Sequence, residues 1–472
     1  MLTPAQIRSR GNQLHAALDQ VIEQRGWSMP KRRAHQWRTL KSLVQHACDH
    51  IPLYQRLFAN AGFEPRMLDD WDDLQKIPIL TKQDLRTAAA DELLPISATA
   101  SWSAPALWSF SQAVARSKAP EDRRTPERSR DDVRWLASSG STGIPARIAR
   151  TESSLWHYMA CNTALFYDWC GGQPISNGLY LVDMAPDSID FATADLLRTT
   201  VPDSRIFSVH DPVAKLTREL LSIVPEFISS YPSTLRAIAL DLKVQNRVMK
   251  KTRLIHLTSE MLDAHTRHLL GQIFPNARLI ETYTSTEGGL VAFQCPHDAR
   301  WHIAETNVIC EIVDESGLPT DELGHLVITD LTNTATPIIR YRGLGDLARW
   351  DTTPCPCGTS LRSIRQIEGR SAAMLRARSG TLLSPYIITN AIEEVPGLAQ
   401  YQVVQKQPGM LEVRVVAETN APRQRIKTGV KRALEAALAN DADLQVTFVS
   451  NIAAPAGSHK VPLVISELPL AA

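Results

Sequence analysis

The segment RLIHLTSEMLDAHTRHLLGQIFPNARLIETYTSTEGG, residues 253–289, contains two apolar, β-rich runs separated by a helix-like stretch. The two runs are RLIHL (253–257) and RLIETY (278–283), and similar runs precede them: LYLVD (179–183), RIFSV (205–209) and EFISS (226–230). Strands that alternate with helices are typical of a largely parallel sheet, because each helix returns the chain to the same edge. The sequence therefore predicts an α/β fold for this region.

The segments on either side predict other elements. Residues 34–60 carry an apolar stripe with helical spacing, which Pro52 interrupts, and Thr81 is placed to cap a further short helix. NVICEIVDE (307–315) and GHLVITDL (324–331) are joined by a Gly/Pro turn. They predict an antiparallel pair of strands.

The C-terminal part of the chain has a different sequence pattern. YQVV, MLEVRVVAE and LQVTFVS resemble strands, and a helix is expected over 421–439, which together predict a small α+β unit. We therefore divide the chain into a large α/β domain with mostly parallel sheets (1–368), a hinge (369–373) and a small C-terminal domain (374–472). Residues 101–132 are polar and aperiodic, and they are predicted to form an exposed loop insertion in the large domain.

The composition is that of a globular enzyme, with 44% hydrophobic and 21% charged residues. The chain has 51 basic and 50 acidic residues, which gives a net charge of +1. This balance gives no electrostatic reason to expect a nucleic-acid or membrane partner. The N-terminal segment has no apolar signal region and no apolar run is long enough to span a bilayer, so a cytoplasmic location is expected. Seven cysteines, an odd number, do not suggest a disulfide framework.

Two polar motifs have the residue types that bind a nucleotide. In LASSGSTGIPARI (136–148), glycines let backbone N–H groups approach phosphate oxygens, and hydroxyl side chains add donors. The spacing is not that of a Walker A loop, and a flexible linker is the alternative. In ETYTSTEGG (281–289), a tyrosine ring can stack on a base, a threonine can contact a phosphate, and Glu287 can ligate Mg²⁺; a plain polar turn is the alternative.

With segments that span nearly the whole chain, these motifs resemble the phenylacetate–CoA ligase branch of the adenylate-forming superfamily. That superfamily includes acyl-CoA synthetases, peptide-synthetase adenylation domains and luciferases. The resemblance implies a mobile small domain and an enzyme that uses ATP to convert a carboxylic acid into an acyl-adenylate, with transfer of the acyl group to CoA. The further matching segments are SLVQHACDHIPLYQRLF (42–58), LQKIPILTKQDLR (74–86), TPIIRYRGLGDL (336–347), IEGRSAAML (367–375), SGTLLSPYIITNAIEE (379–394) and AGSHK (456–460).

The resemblance implies a role for each matching residue. Lys460 would enter from the small domain to bridge the acid's carboxylate and the α-phosphate, and Arg370 would lie beside the nucleotide at the hinge. Glu287 would bind Mg²⁺, Thr286 would contact the α-phosphate, and Asp346 would bind the ribose hydroxyls. Alternatively, Asp346 and Arg370 form an ordinary surface ion pair, and an isolated lysine is usually solvated. The phosphate loop and the adenine pocket would supply the other contacts: Ser138, Ser139, Gly140, Ser141, Thr142, Gly143, Ser259, Glu260, Tyr283 and Thr284.

The chain also departs from the family pattern. Ile144 stands where the phosphate loop usually has lysine, and the ribose motif is one residue longer between Tyr341 and Asp346. Ala372 and Ala373 replace two acidic hinge residues. Because the small domain swings about that hinge, the acyl acceptor stays open. The resemblance favours CoA, an amine is the alternative, and a binding protein that has lost catalysis is a further alternative.

Two Cys-containing pairs suggest a metal site. Cys295 and His297 form one pair, and Cys355 and Cys357 form the other, which gives the Cys₃His set of closed structural zinc sites. His302 is a competing ligand, and unligated cysteines in a mobile flap are the alternative. The predicted hairpin between the pairs would bring them together.

The carboxylic acid is expected to contact aromatic side chains. ALFYDWCGG (164–172) and SSYPS (229–233) lie where the resembled family has its acyl pocket. Such residues more often belong to a core. In that position they favour an aryl or other bulky apolar acid.

Overall fold

The computed structural model describes residues 4–95, 133–137, 146–183, 197–198, 200–260 and 262–370, and, further on, 375–380, 382–383, 388, 391–392, 395–418, 421–452 and 462–468. Several predicted features lie outside these residues: the loop insertion 101–132, the phosphate loop 138–143 with Ile144, the hinge residues Ala372 and Ala373, and Lys460.

The N-terminal part is helical, with α1 (Pro4–Arg25), α2 (Met29–His50), α3 (Pro52–Ala61) and α4 (Lys82–Thr87). Pro52 begins α3, and the predicted apolar stripe of α2 is buried. Thr81 caps α4, because its hydroxyl accepts a hydrogen bond from the N–H of Asp84 at 3.2 Å. These elements confirm the predicted helices of this region. Short 3₁₀ turns lie at Pro65–Met67, Trp71–Lys76 and Ala90–Leu93.

A hairpin of β1 (Val133–Ala137) and β2 (Arg147–Thr151) follows these helices along the chain. A mixed eleven-stranded sheet comes after it. The spatial order of the large sheet is β10 (Val308–Val313), β11 (Gly324–Asp330), β12 (Asp346–Asp351), β13 (Ser363–Arg370), β9 (Trp301–Ile303), β8 (Gly289–Gln294), β7 (Arg278–Ser285), β6 (Leu254–Thr258), β5 (Phe227–Ser230), β3 (Gly178–Val182) and β4 (Arg205–Ser208). Strands β3 to β7 pair in parallel, as predicted. The other strands are antiparallel, including the predicted pair β10 and β11.

Helices cover both faces of the parallel half of the sheet. The core of one face contains residues of α6 (Val213–Ile223), α7 (Pro232–Val244) and α8 (Ala264–Ile273). The core of the other contains residues of α5 (Glu152–Trp169) and α1. Because the strands are buried on both faces, the loops at their carboxyl ends are the place where such sheets bind ligands.

Arg340 connects the segment around residues 75–77 to the large sheet through buried polar contacts. Its side chain is buried, its Nη2 lies 2.9 Å from a carboxylate oxygen of Glu311, and its Nη1 donates to the carbonyls of Gln75 at 3.0 Å and Ile77 at 2.7 Å. A buried charge is tolerated when it is paired and hydrogen-bonded in this way. Two of the recognised segments, 74–86 and 336–347, therefore meet at this residue.

The C-terminal unit has its own four-stranded sheet, with the order β18 (Asp443–Phe448), β17 (Met410–Ala417), β16 (Leu398–Gln407), β19 (Val464–Ser466). A separate buried core holds this sheet and the helix together. The fold class is confirmed: a large α/β unit and a smaller α+β unit. Within the described part of the chain, no helix is both long enough and apolar enough to cross a membrane. The elements of the unit are β14 (Leu375–Arg376), β15 (Leu382–Leu383), β16 (Leu398–Gln407), β17 (Met410–Ala417), α9 (Arg423–Ala437), β18 (Asp443–Phe448) and β19 (Val464–Ser466).

Candidate active site

Two of the predicted nucleotide-binding segments meet at the carboxyl ends of β6 and β7. These strands are parallel neighbours, and Thr258 lies opposite Thr282. The hydroxyls of Thr258 and Thr284 are hydrogen-bonded at 2.9 Å. The turn after β6, residues 259–260, is thereby held beside residues 283–287. This is the edge at which parallel sheets place their ligands.

Tyr283 contacts the residue predicted to bind the ribose. Its phenol hydroxyl donates a hydrogen bond to the carboxylate of Asp346, the first residue of β12. Arg370, the last residue of β13, lies opposite Asp346 in the antiparallel register. The fold therefore brings together the predicted adenine contact, the predicted ribose contact and the start of the predicted hinge.

Glu287 is a buried carboxylate with a defined partner. The hydroxyl of Tyr341 donates to its Oε1 at 3.0 Å. Burial and the adjacent charge of Glu287 raise the pKa of Tyr341, so the phenol stays protonated and remains a donor. Among the described residues, no hydrogen bond reaches the second carboxylate oxygen. A carboxylate oxygen that no protein donor occupies suits a hard cation such as Mg²⁺. No sequence motif predicted this role for Tyr341.

Arg150 is a second residue that the sequence analysis did not assign. It lies on β2, and its buried guanidinium donates to the backbone carbonyls of Thr286 at 3.1 Å and Glu287 at 2.9 Å. The same group forms an ion pair with buried Asp330, with 2.9 Å between Nη2 and Oδ2. A buried, charged side chain therefore hydrogen-bonds to the backbone of Glu287.

Glu260 and Ser259 form a fixed turn. The carboxylate of Glu260 accepts hydrogen bonds from the backbone N–H of Ser233 at 2.8 Å and from its hydroxyl at 3.0 Å. Negative charge is favourable there, because Ser233 lies in the first turn of α7. Ser259 has a φ of 67°, in the left-handed region that non-glycine residues rarely occupy. The predicted adenine contact of these two residues stays a prediction.

A cluster of potential metal ligands lies on the antiparallel side of the sheet. Ligand atoms of Cys295, His302, Cys355 and Cys357 all lie within 4.8 Å of one another. The Sγ atoms of Cys295 and Cys355 are 3.4 Å apart, and His302 Nε2 lies 3.4 Å from the Sγ of both Cys355 and Cys357. With usual Zn–S and Zn–N bonds, tetrahedral ligands are about 3.5–3.8 Å apart. The cluster therefore fits a closed zinc site.

The histidine of this cluster is His302, whereas the sequence pattern favoured His297. The His297 side chain is exposed, and its backbone N–H donates to the Sγ of Cys295 at 3.4 Å. His302 is buried on β9, beside Ser363 of β13, and this pairing carries its ring to the cysteines. Strand pairing, rather than sequence spacing, decides which ring reaches the cysteines.

Aromatic side chains pack between α5 and the parallel strands. The ring of Phe166 lies 4.9 Å from that of Phe227, which lies 5.4 Å from that of Tyr180. The neighbouring Tyr167 is 54% exposed, so the predicted aromatic stretch lies only partly inside the protein.

A polar chain of three side chains adjoins these rings. The ring nitrogens of His256 lie 2.9 Å from the hydroxyl of Ser229 and 2.8 Å from that of Thr282. Burial lowers the pKa of His256 to about 3, so the imidazole is neutral. The region where the resemblance puts the acyl pocket is therefore aromatic, with neutral polar groups beside it.

No protein-family model matches the chain, but several known proteins are similar to it in sequence. Phenylacetate-coenzyme A ligases of Thermus thermophilus and Pseudomonas putida are each 25% identical over 422 residues. The alignments cover 83% of this chain and 82% of the Thermus protein, and 86% of both chains for the Pseudomonas protein. The predicted resemblance to the phenylacetate–CoA ligase branch is confirmed.

A solved structure of 2-hydroxyisobutyryl-CoA ligase in the postadenylation state, in complex with 2-HIB-AMP, has the same fold. The TM-score is 0.73 at 17% identity, and the match covers 93% of this chain and 90% of that one. The likeness of fold to this 2-hydroxyisobutyryl-CoA ligase therefore extends over both the large and the C-terminal units.

Proposed function

We propose that the chain is an ATP-dependent ligase that activates a carboxylic acid as an acyl-adenylate and transfers the acyl group to CoA. The observation that carries the proposal is the meeting of Tyr283, Asp346 and Glu287 at one end of the parallel strands. These residues have the chemistry to contact adenine, ribose and Mg²⁺. The phenylacetate-coenzyme A ligase relatives and a 2-hydroxyisobutyryl-CoA ligase solved with 2-HIB-AMP and CoA support the same reaction class.

In the first half-reaction, a carboxylate oxygen of the acid attacks the α-phosphorus of ATP. The bond from that phosphorus to the bridging oxygen breaks, and pyrophosphate leaves. Glu287 would hold Mg²⁺, which offsets phosphate charge, while Thr286 and Lys460 would contact the α-phosphate. No proton has to move, so catalysis rests on positioning and charge neutralisation.

In the second half-reaction, the thiolate sulfur of CoA attacks the acyl carbonyl carbon. The bond from that carbon to the phosphate oxygen breaks, and AMP leaves with the oxygen. The small domain would turn about residues 369–373 between the two steps. The aromatic stretch 164–172, which lies where the resembled family has its acyl pocket, favours an aryl or other bulky apolar acid as substrate.

Exchange of labelled pyrophosphate into ATP tests the first step over a panel of aryl, fatty and keto acids. We expect exchange that depends on an aryl acid and on Mg²⁺. Absence of exchange with every acid would contradict adenylation. Mass spectrometry after addition of CoA, or of amines in its place, identifies the acceptor: a thioester is expected, and an amide would overturn the choice of CoA.

We also propose that Cys295, His302, Cys355 and Cys357 bind one structural zinc ion. Four protein ligands leave no open position for a substrate, so the ion would stabilise the fold rather than take part in the reaction. Zinc would tie the segment that contains Cys355 and Cys357 to strand β9.

Metal analysis of protein purified without added metal should find about one zinc per chain. His302→Gln should lower zinc content and melting temperature together, because it removes a ligand, whereas His297→Gln serves as the matched control and should retain the metal. If His297→Gln loses zinc and His302→Gln keeps it, the ligand set read from the structure is wrong. A folded wild type without metal would contradict the zinc site itself.

A further inference from the structure

Arg150 differs from Arg147, which lies on the same strand. The side chain of Arg147 is exposed, whereas Arg150 is 3% exposed. Strand β2 leads away from the predicted phosphate loop, so a buried charge on this strand lies close in sequence to the expected ATP site. Burying a guanidinium is costly unless each donor is used.

Two partners of Arg150 belong to the loop that carries Glu287, and the third is Asp330 on β11. Its Nε donates to the carbonyl of Thr286 at 3.1 Å, and its Nη2 donates to the carbonyl of Glu287 at 2.9 Å and to Asp330 at 2.9 Å. Asp330 is held in turn by Thr332, whose backbone N–H and hydroxyl donate to Oδ1 at 2.8 Å and 2.7 Å. Both ends of the ion pair are therefore fixed.

Arg150 and Tyr341 bind different parts of Glu287. Arg150 binds the backbone carbonyl of Glu287, while the carboxylate of the same residue is held separately by Tyr341. Gly289, with a φ of 62°, turns the chain back beside the guanidinium, and a Cβ at this position would lie 3.5 Å from Arg150 Nη2. Arg150 thus fixes the loop at its backbone, while the Glu287 carboxylate is bound separately by Tyr341.

We propose that Arg150 is a positioning residue that orients Thr286 and Glu287 for magnesium and ATP, and that it links this loop to the strand leaving the phosphate loop. The inference rests on the proposed function, because it takes Glu287 as the magnesium ligand. Arg150 would act through the backbone of this loop rather than by contacting the metal or the nucleotide. Its loss should weaken metal binding although the carboxylate ligand remains chemically intact.

Binding of Mn²⁺ in the presence of α,β-methylene-ATP, followed by the electron paramagnetic resonance signal of free Mn²⁺, tests this without turnover. Arg150→Met should weaken Mn²⁺ binding to the nucleotide complex by about 10- to 100-fold, the range found for residues that orient metal ligands. Arg147→Met is the matched control on the same strand, and it should bind Mn²⁺ as the wild type does. Millimolar guanidinium should restore binding to Arg150→Ala, a rescue that general destabilisation would not give.

Arg150→Lys covers the case in which the other variants do not fold. Lysine keeps the charge opposite Asp330 but cannot bind two carbonyls and a carboxylate in a fixed fork. We expect a melting temperature near that of the wild type and weaker Mn²⁺ binding. Wild-type affinity in Arg150→Lys, or in folded Arg150→Met, would overturn the inference alone. A wild type that binds neither Mn²⁺ nor the nucleotide analogue would contradict the proposed function, and the inference with it.

Discussion

Replacement of Lys460 by alanine is expected to lower the rate of adenylation by on the order of 10²–10³, the effect of removing one preorganised electrostatic group. The acid's carboxylate and the α-phosphate are both anions, and their mutual repulsion opposes attack. A compact ammonium between them offsets that repulsion and holds the attacking oxygen in line with the phosphorus. Pyrophosphate exchange measures this step, and Lys427→Ala, at an exposed position on α9, is a matched control that should leave it unchanged.

The same variant separates the two half-reactions. Once the acyl-adenylate exists, the reacting bond joins the carbonyl carbon to the nucleophile, and Lys460 is no longer needed. Lys460→Ala supplied with chemically made acyl-adenylate should therefore transfer the acyl group to CoA at nearly the wild-type rate. Equal loss of both half-reactions would show that Lys460 is structural or that the domains do not alternate. No loss in either would show that the AGSHK match has no functional meaning.

Glu287→Gln should lower adenylation by on the order of 10² and raise the Mg²⁺ concentration required for half-maximal rate. The amide keeps the shape of the side chain and can still accept the hydrogen bond from Tyr341, but it loses the charge that a hard cation prefers. Pyrophosphate exchange over a Mg²⁺ titration measures both changes. An unchanged rate and Mg²⁺ optimum would show that Glu287 is not the ligand.

Two neighbours provide controls for this change. Tyr341→Phe removes only the bond that orients the carboxylate, and we expect a loss of about tenfold. Glu281→Gln alters a carboxyl group on the same strand β7, where burial raises the pKa of Glu281 to about 7. The Glu281 carboxyl group pairs with Arg267 and has no part in the proposed magnesium site, so Glu281→Gln should leave the Mg²⁺ requirement unchanged.

The sequence predicts those parts of the molecule that depend on local pattern. The apolar runs from 179 to 283 form the parallel strands that their pattern predicts, and β3 and β6 are buried along most of their length. Tyr283 and Asp346 could be proposed for one site because each lies in a recognisable motif, and the structure joins them by a hydrogen bond.

Features that depend on tertiary pairing could not be predicted in this way. Arg150 is one charged residue in a short polar stretch, and nothing local indicates that it is buried against Asp330 and the loop that carries Glu287. The choice of His302 over His297 likewise depends on the pairing of β9 with β13. In both cases the partner lies far away along the chain, where spacing carries no information.

Transfer of an ¹⁸O label from the acid tests the proposed reaction most directly. The acid, labelled in both carboxylate oxygens, is incubated with the protein, ATP, Mg²⁺ and CoA, and the nucleotide and phosphate products are analysed by mass spectrometry. If the carboxylate attacks the α-phosphorus, one labelled oxygen must appear in AMP, and pyrophosphate must be unlabelled. Label in inorganic phosphate with formation of ADP, or AMP without label, would contradict acyl-adenylate formation.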